Sequence, residues 1–128
     1  MKNELIYNVN LHFEHEIWQR ELNFWEDELK SFHLRLDELN ERWTDNKVLT
    51  QVEKFQNRFM IQEKEIDALK DQIAMHELNM SNHYEKDEDV LNKTFVNQHI
   101  EFREVLERER NLFQTLKKEF FHFLTKYL

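Results

Sequence analysis

Hydrophobic residues recur along this chain at alternating steps of four and three over nearly its whole length. In the first third, Leu11, Trp18, Trp25, Phe32 and Leu39 follow one another every seven residues, and Leu22, Leu29, Leu36 and Trp43 do the same four positions behind. This is the spacing of a coiled-coil seam, in which one stripe of a helix faces its neighbours. A second run holds Val48, Val52, Phe55, Phe59, Gln62, Ile66, Leu69, Ile73, His76, Met80 and His83. A third holds Phe95, His99, Phe102, Leu106, Glu109, Phe113, Leu116, Phe120, Phe123 and Tyr127, with Val105 and Leu112 widening the stripe.

Two interruptions separate the runs. Residues 42–47 (RWTDNK) offer Thr44, Asp45 and Asn46 as N-cap residues for a new helix. Residues 81–89 (SNHYEKDED) crowd polar and acidic side chains together, with Ser81, Asn82 or Asp87 as caps and the acids suited to a positive helix N-terminus. The pattern predicts helices over about 3–43, 46–82 and 87–127, in one domain spanning residues 1–128. Short connections force antiparallel neighbours. The expected fold is all-α, an antiparallel up-down-up three-helix bundle of long coiled-coil-like helices. The chain has no glycine and no proline, so nothing in its composition interrupts such helices.

Composition narrows the chemistry. With no cysteine, a disulfide framework, a thiol nucleophile and a thiolate metal site are excluded. No apolar run approaches the ~20 residues of a membrane span, and the first residues lack a secretory pattern, so the expected setting is cytoplasmic with no membrane partner. The net charge is −8, and residues 1–45 hold 11 acidic and 5 basic side chains. The basic residues Arg103, Arg108, Arg110, Lys117 and Lys118 are interleaved with Glu101, Glu104, Glu107, Glu109 and Glu119. That is a salt-bridged surface rather than the basic stripe that nucleic acid requires. Without glycine there is no phosphate-cradling loop or nucleophile elbow, and no motif for an organic cofactor, so the chain reads as non-enzymatic.

The polar residues inside the seam are the candidate chemistry. If the first turn centres near residue 45, a position i of the first helix faces one near 91 − i of the second; a second turn near 85 makes the corresponding sum about 170. These sums bring Gln62 opposite Leu29 and Glu109, a buried polar pair that would penalise shifted registers. They bring His76 opposite His15, with His99 about a turn away and His83 and Met80 towards the same end.

His15, His76, His83 and His99 then form a candidate metal site built from facing helices. Imidazole suits Zn, Cu, Ni or Fe; Met80 would favour a softer ion such as Cu(I), and Glu14, Glu16 or Glu77 offers a carboxylate. The other reading has these histidines half-buried at a bundle end and bonded to one another, to carboxylates or to water. A di-iron carboxylate site is not matched: Glu119 and His122 form the one Glu-x-x-His pair, and they flank the seam.

Surplus apolar residues lie beside the seam. Phe13, Ile17 and Phe24 broaden the first helix, and Phe121, Leu124, Tyr127 and Leu128 surround the end of the third. Such excess marks a protein partner or self-association into a homo-oligomer. The expected function is therefore non-enzymatic protein–protein interaction or self-association through apolar helix faces, with a metal-binding bundle as the alternative. The tryptophan-bearing first helix and the three heptad runs resemble a spectrin-like repeat in architecture, a resemblance that implies a fold and not a function.

Overall fold

A computed structural model describes the backbone of residues 2–84 and 89–128 and the side chains of 10–82 and 93–128. It contains three α-helices, α1 (Lys2–Arg42), α2 (Asn46–Tyr84) and α3 (Asp89–Tyr127), packed as an antiparallel up-down-up bundle. None of the helices is long and apolar enough, among the described residues, to cross a membrane.

The first turn is built by the residues expected there. Asp45 is the N-cap of α2: its Oδ1 accepts from the Lys47 N–H at 2.8 Å and its carbonyl takes the first helical bond from Leu49. Trp43 stands just outside α1 and donates from its indole Nε1 to the Tyr127 carbonyl at 2.9 Å. Arg42 donates to the Leu128 carbonyl at 2.8 Å, so the first turn satisfies carbonyls that α3 leaves open at its end. At the second connection, Ser81 and Asn82 lie within α2 and do not cap α3. Asp87 lies outside the described residues.

The heptad positions form the core. Leu22, Leu29, Leu39, Phe59, Ile66, Ile73 and Phe120 are fully enclosed, and the core is continuous from Trp18 to Phe123. Its centre is aromatic: the Phe120 ring lies 4.9 Å from Phe59, 5.0 Å from Phe32 and 5.4 Å from Phe55. Edge-to-face and offset pairs of this kind add to the burial of their area.

Ion pairs hold the register from outside. Between the parallel helices α1 and α3, Glu14 pairs with Arg103, Glu21 with Arg110 and Glu28 with Lys117, each pair seven residues after the last. Between α1 and α2, Glu77 meets His12 and His15, Lys70 meets Glu26, and Glu63 meets His33. A heptad core and a heptad rim thus specify the same alignment. The α1–α2 register follows the sum expected from the first turn. Across α2 and α3, Gln62 meets Glu109 as the second sum expects, and His76 meets both Phe95 and, one turn on, His99, which thereby joins its layer.

Candidate metal centre

Near the end of the bundle farthest from the first turn, one layer of the core is made of histidine. His15 from α1, His76 from α2 and His99 from α3 are buried, at 3, 4 and 0% exposure. One ring nitrogen of each lies within 4.8 Å of those of the other two. The layer exists because each helix places a histidine where its heptad calls for an apolar residue. Layers of ordinary core close it on both sides: Leu11, Met80 and Phe95 on one, Trp18 and Phe102 on the other.

The hydrogen bonds assign the protons. A carboxylate only accepts, so His15 Nδ1–H donates to Glu77 Oε2 at 2.5 Å and His99 Nε2–H donates to Glu14 Oε1 at 3.2 Å. With His15 in its neutral form, Nε2 carries the lone pair and accepts the His76 Nδ1–H at 3.0 Å. The nitrogens left over, His76 Nε2 and His99 Nδ1, are buried and have no hydrogen-bond partner. In this set of tautomers His15 Nε2, His76 Nε2 and His99 Nδ1 carry no proton.

Both carboxylates are secured from outside. Arg103, above all, holds the Glu14 carboxyl below the usual carboxylate range, against partial burial and with help from His99. Burial pushes the Glu77 carboxyl up, but hydrogen bonds from His12 and His15 outweigh it and keep the group low. Burial, and then the neighbouring His15, pushes the His76 imidazole down, with the Phe95 carbonyl opposing. Burial pushes His99 down to about 4 despite its bond to Glu14. His76 and His99 are therefore neutral near pH 7, the form in which imidazole binds a metal.

Carboxylate–histidine pairs facing outward with free nitrogens facing inward are the arrangement that orients metal-ligating histidines. At bond lengths of 2.0–2.1 Å, tetrahedral nitrogen ligands stand about 3.3 Å apart. One nitrogen of each ring lies within 4.8 Å of those of the other two, so reaching that separation requires the rings to rotate and the His76–His15 hydrogen bond to give way. An open groove of about 420 Å³ between α2 and α3, lined by Gln72, Met75, Asn79 and Gln98, reaches His76 and Phe102.

Of the four histidines expected here, the structure unites three; the His83 side chain lies outside the described residues. Glu14 and Glu77 serve as outer partners of the rings, while Glu16 pairs with exposed His12 at 3.1 Å. Sequence reasoning passed over Trp18, whose indole stacks on His99 at 4.6 Å, and Arg103, which secures Glu14. Both carried a signal: Trp18 follows His15 by three residues, and Arg103 opens the seven-residue series that pairs with Glu14, Glu21 and Glu28.

A second polar layer lies in mid-bundle. Gln62 Nε2 donates to Glu109 Oε2 at 2.8 Å, and both side chains are buried. Burial pushes the Glu109 carboxyl up, the Gln62 bond opposes, and nearby Glu65 adds to the rise. The surplus apolar residues divide. Phe13, Ile17 and Phe24 are 57, 55 and 59% exposed, and Phe121 and Leu128 are also exposed. Leu124 and Tyr127 instead pack against the core, Tyr127 meeting Trp43 edge-on at 5.6 Å.

No known protein family, curated protein or solved structure matches this chain.

Proposed function

We propose that this protein binds a late first-row transition-metal ion in the core of its bundle, with His15, His76 and His99 as ligands. The observation that supports this best is the pair of buried, unpartnered nitrogens, His76 Nε2 and His99 Nδ1, beside His15 Nε2. A buried polar atom without a partner costs about 1–3 kcal/mol. Two in one layer is an expense that leucine at these positions would avoid, and a metal ion would offset it. Glu14 and Glu77 fix the rings, and Arg103 and His12 fix the carboxylates.

The test is a titration of chelator-stripped protein with Zn(II), Co(II), Ni(II) and Cu(II), followed by tryptophan fluorescence. Trp18 lies against two of the three ligands and is a built-in reporter. Saturation at one equivalent is expected, lost in His15→Leu and kept in His122→Leu, whose histidine is exposed at the opposite end. No uptake, or equal uptake by both variants, refutes the reading.

A second reading is self-association through α1. Phe13, Ile17 and Phe24 fall within about 40° of one another around the helix, on the side away from the core. Each is more than half exposed. Light scattering across a concentration series tests this: a dimer lost in Phe24→Lys supports it, and a monomer at every concentration refutes it.

A further inference from the structure

We infer that the Met80 thioether is the fourth ligand of the histidine layer and that it makes the site selective for copper(I). The inference rests on the metal-binding reading above and adds to it the identity of the ion and the residue that selects it.

Helical side chains lean in a fixed direction. A residue on an α-helix covers the turn on its N-terminal side, over the residues three and four positions before it. Met80 follows His76 by four, so its side chain leans towards the histidine layer. It is buried, at 8% exposure, in a small cluster with Leu11 and Phe95. Those two precede His15 and His99 by four on helices that run the opposite way, so they lean away from the layer, although the Phe95 ring still meets His76 at 5.7 Å. From that side the lean of α2 directs Met80 at the histidines, beside the Phe95 ring.

The same rule, applied to α1 and α3, brings Trp18 and Phe102 over the layer from its other side, three residues after His15 and His99. The ring contacts agree: Trp18 lies 5.6 Å from His15 and 4.6 Å from His99, and Phe102 lies 5.2 Å from His76. The layer therefore has three imidazoles with aromatic carbon on one side, and the lean of α2 sets the Met80 side chain on the other.

The donors select the ion. Glu14 and Glu77 are engaged with the outward nitrogens of the rings and with Arg103 and His12, so neither offers a free oxygen to the interior. Three imidazoles and a thioether are neutral and, in part, soft. Thioether ligands favour Cu(I). A neutral donor set in a closed core also leaves one buried charge uncompensated with Cu(I) against two with Zn(II), and buried charge is costly.

The experiment measures Cu(I) affinity anaerobically, by competition with the chromophoric chelator bicinchoninate, and Zn(II) affinity by competition with a zinc indicator. Wild type, Met80→Leu, Met60→Leu and His15→Leu are compared. Leucine nearly conserves the volume of methionine, so Met80→Leu keeps the packing while removing the sulfur. The expected result is a loss of about tenfold or more in Cu(I) affinity for Met80→Leu, with Zn(II) affinity changed by less than about threefold. Met60 is exposed on the same helix and its variant matches wild type. X-ray absorption of the Cu(I)-loaded wild type should show a sulfur neighbour beside nitrogen, a result that depends on no variant.

Unchanged Cu(I) affinity in Met80→Leu, or a spectrum with nitrogen alone, overturns the role of Met80 and leaves the histidine reading standing. Failure of the wild type to bind either ion, or binding that survives His15→Leu, overturns the histidine reading itself.

Discussion

Replacing His99 with leucine in the metal-free protein should make it more stable. His99 is fully enclosed, and its Nδ1 has no partner. Relieving that atom is worth about 1–3 kcal/mol. Against this stands the lost stacking on Trp18, about 0.5–1.5 kcal/mol. The bond from Nε2 to Glu14 is long at 3.2 Å, and Glu14 keeps its two-pronged contact with Arg103. The balance favours leucine by about 1 kcal/mol near pH 7.5, which raises Tm by about 4 °C for a chain of this size.

Acid should widen the gap. The folded-state pKa of His99 is pushed down to about 4 from 6.5, so between those values the unfolded chain holds a proton that the folded one excludes. Stability is then lost as pH falls through that window. At 1.36 kcal/mol for each pKa unit, wild type loses up to about 3 kcal/mol from this residue, and His99→Leu escapes the loss. Thermal and urea unfolding of chelator-stripped protein at pH 7.5 and 5 measure both effects. A lower Tm for the variant at pH 7.5, or the same pH slope as wild type, would mean that this imidazole is not held at a cost.

Three further substitutions probe the frame around the site. Glu109→Gln keeps an oxygen for the Gln62 amide and removes a carboxylate that burial and Glu65 push up. Because that raised group destabilises the fold as pH rises through its pKa, the variant's advantage should appear above pH 4.5 and vanish below it in paired urea titrations. Phe120→Ala empties the meeting point of the Phe32, Phe55 and Phe59 rings and should cost about 3–5 kcal/mol by denaturant unfolding, with no new ion bound. Asp45→Ala removes the cap of α2 and should cost about 1 kcal/mol in the same assay while leaving metal uptake intact.

Much of this arrangement is written in the heptads. The three helices follow from an apolar period that no glycine or proline interrupts, and the pairing of His15 with His76 follows from the position of the first turn. Gln62 and Glu109 likewise meet as their places in the seam require. His99 was harder to place, because its layer depends on the second connection, where the polar stretch 81–89 spreads its cap residues over half a dozen positions. The His76 ring lies 5.7 Å from Phe95 and 6.0 Å from His99, so the turn that follows Phe95 carries His99 into the layer. The outward roles of Glu14 and Glu77 were hidden for another reason. Heptad position says that a side chain lies at the rim, but not whether its carboxylate turns inward to an ion or sideways to a ring nitrogen. That depends on Arg103 and His12, whose own reach sets the carboxylate geometry.

If the histidine layer is an ion site and not a polar interruption of the core, a metal ion should stabilise the fold, and the gain should require His15, His76 and His99. Thermal unfolding decides this for wild type and for the triple variant His15→Leu/His76→Leu/His99→Leu, each stripped and then supplied with Zn(II) or, anaerobically, Cu(I). The stripped variant is expected to melt above stripped wild type, and only wild type should gain from the metal. At a free ion concentration about 1,000 times Kd the gain is about 4 kcal/mol, many degrees in Tm. A wild type indifferent to both ions, or a variant that gains as much from them, would contradict the metal-site reading.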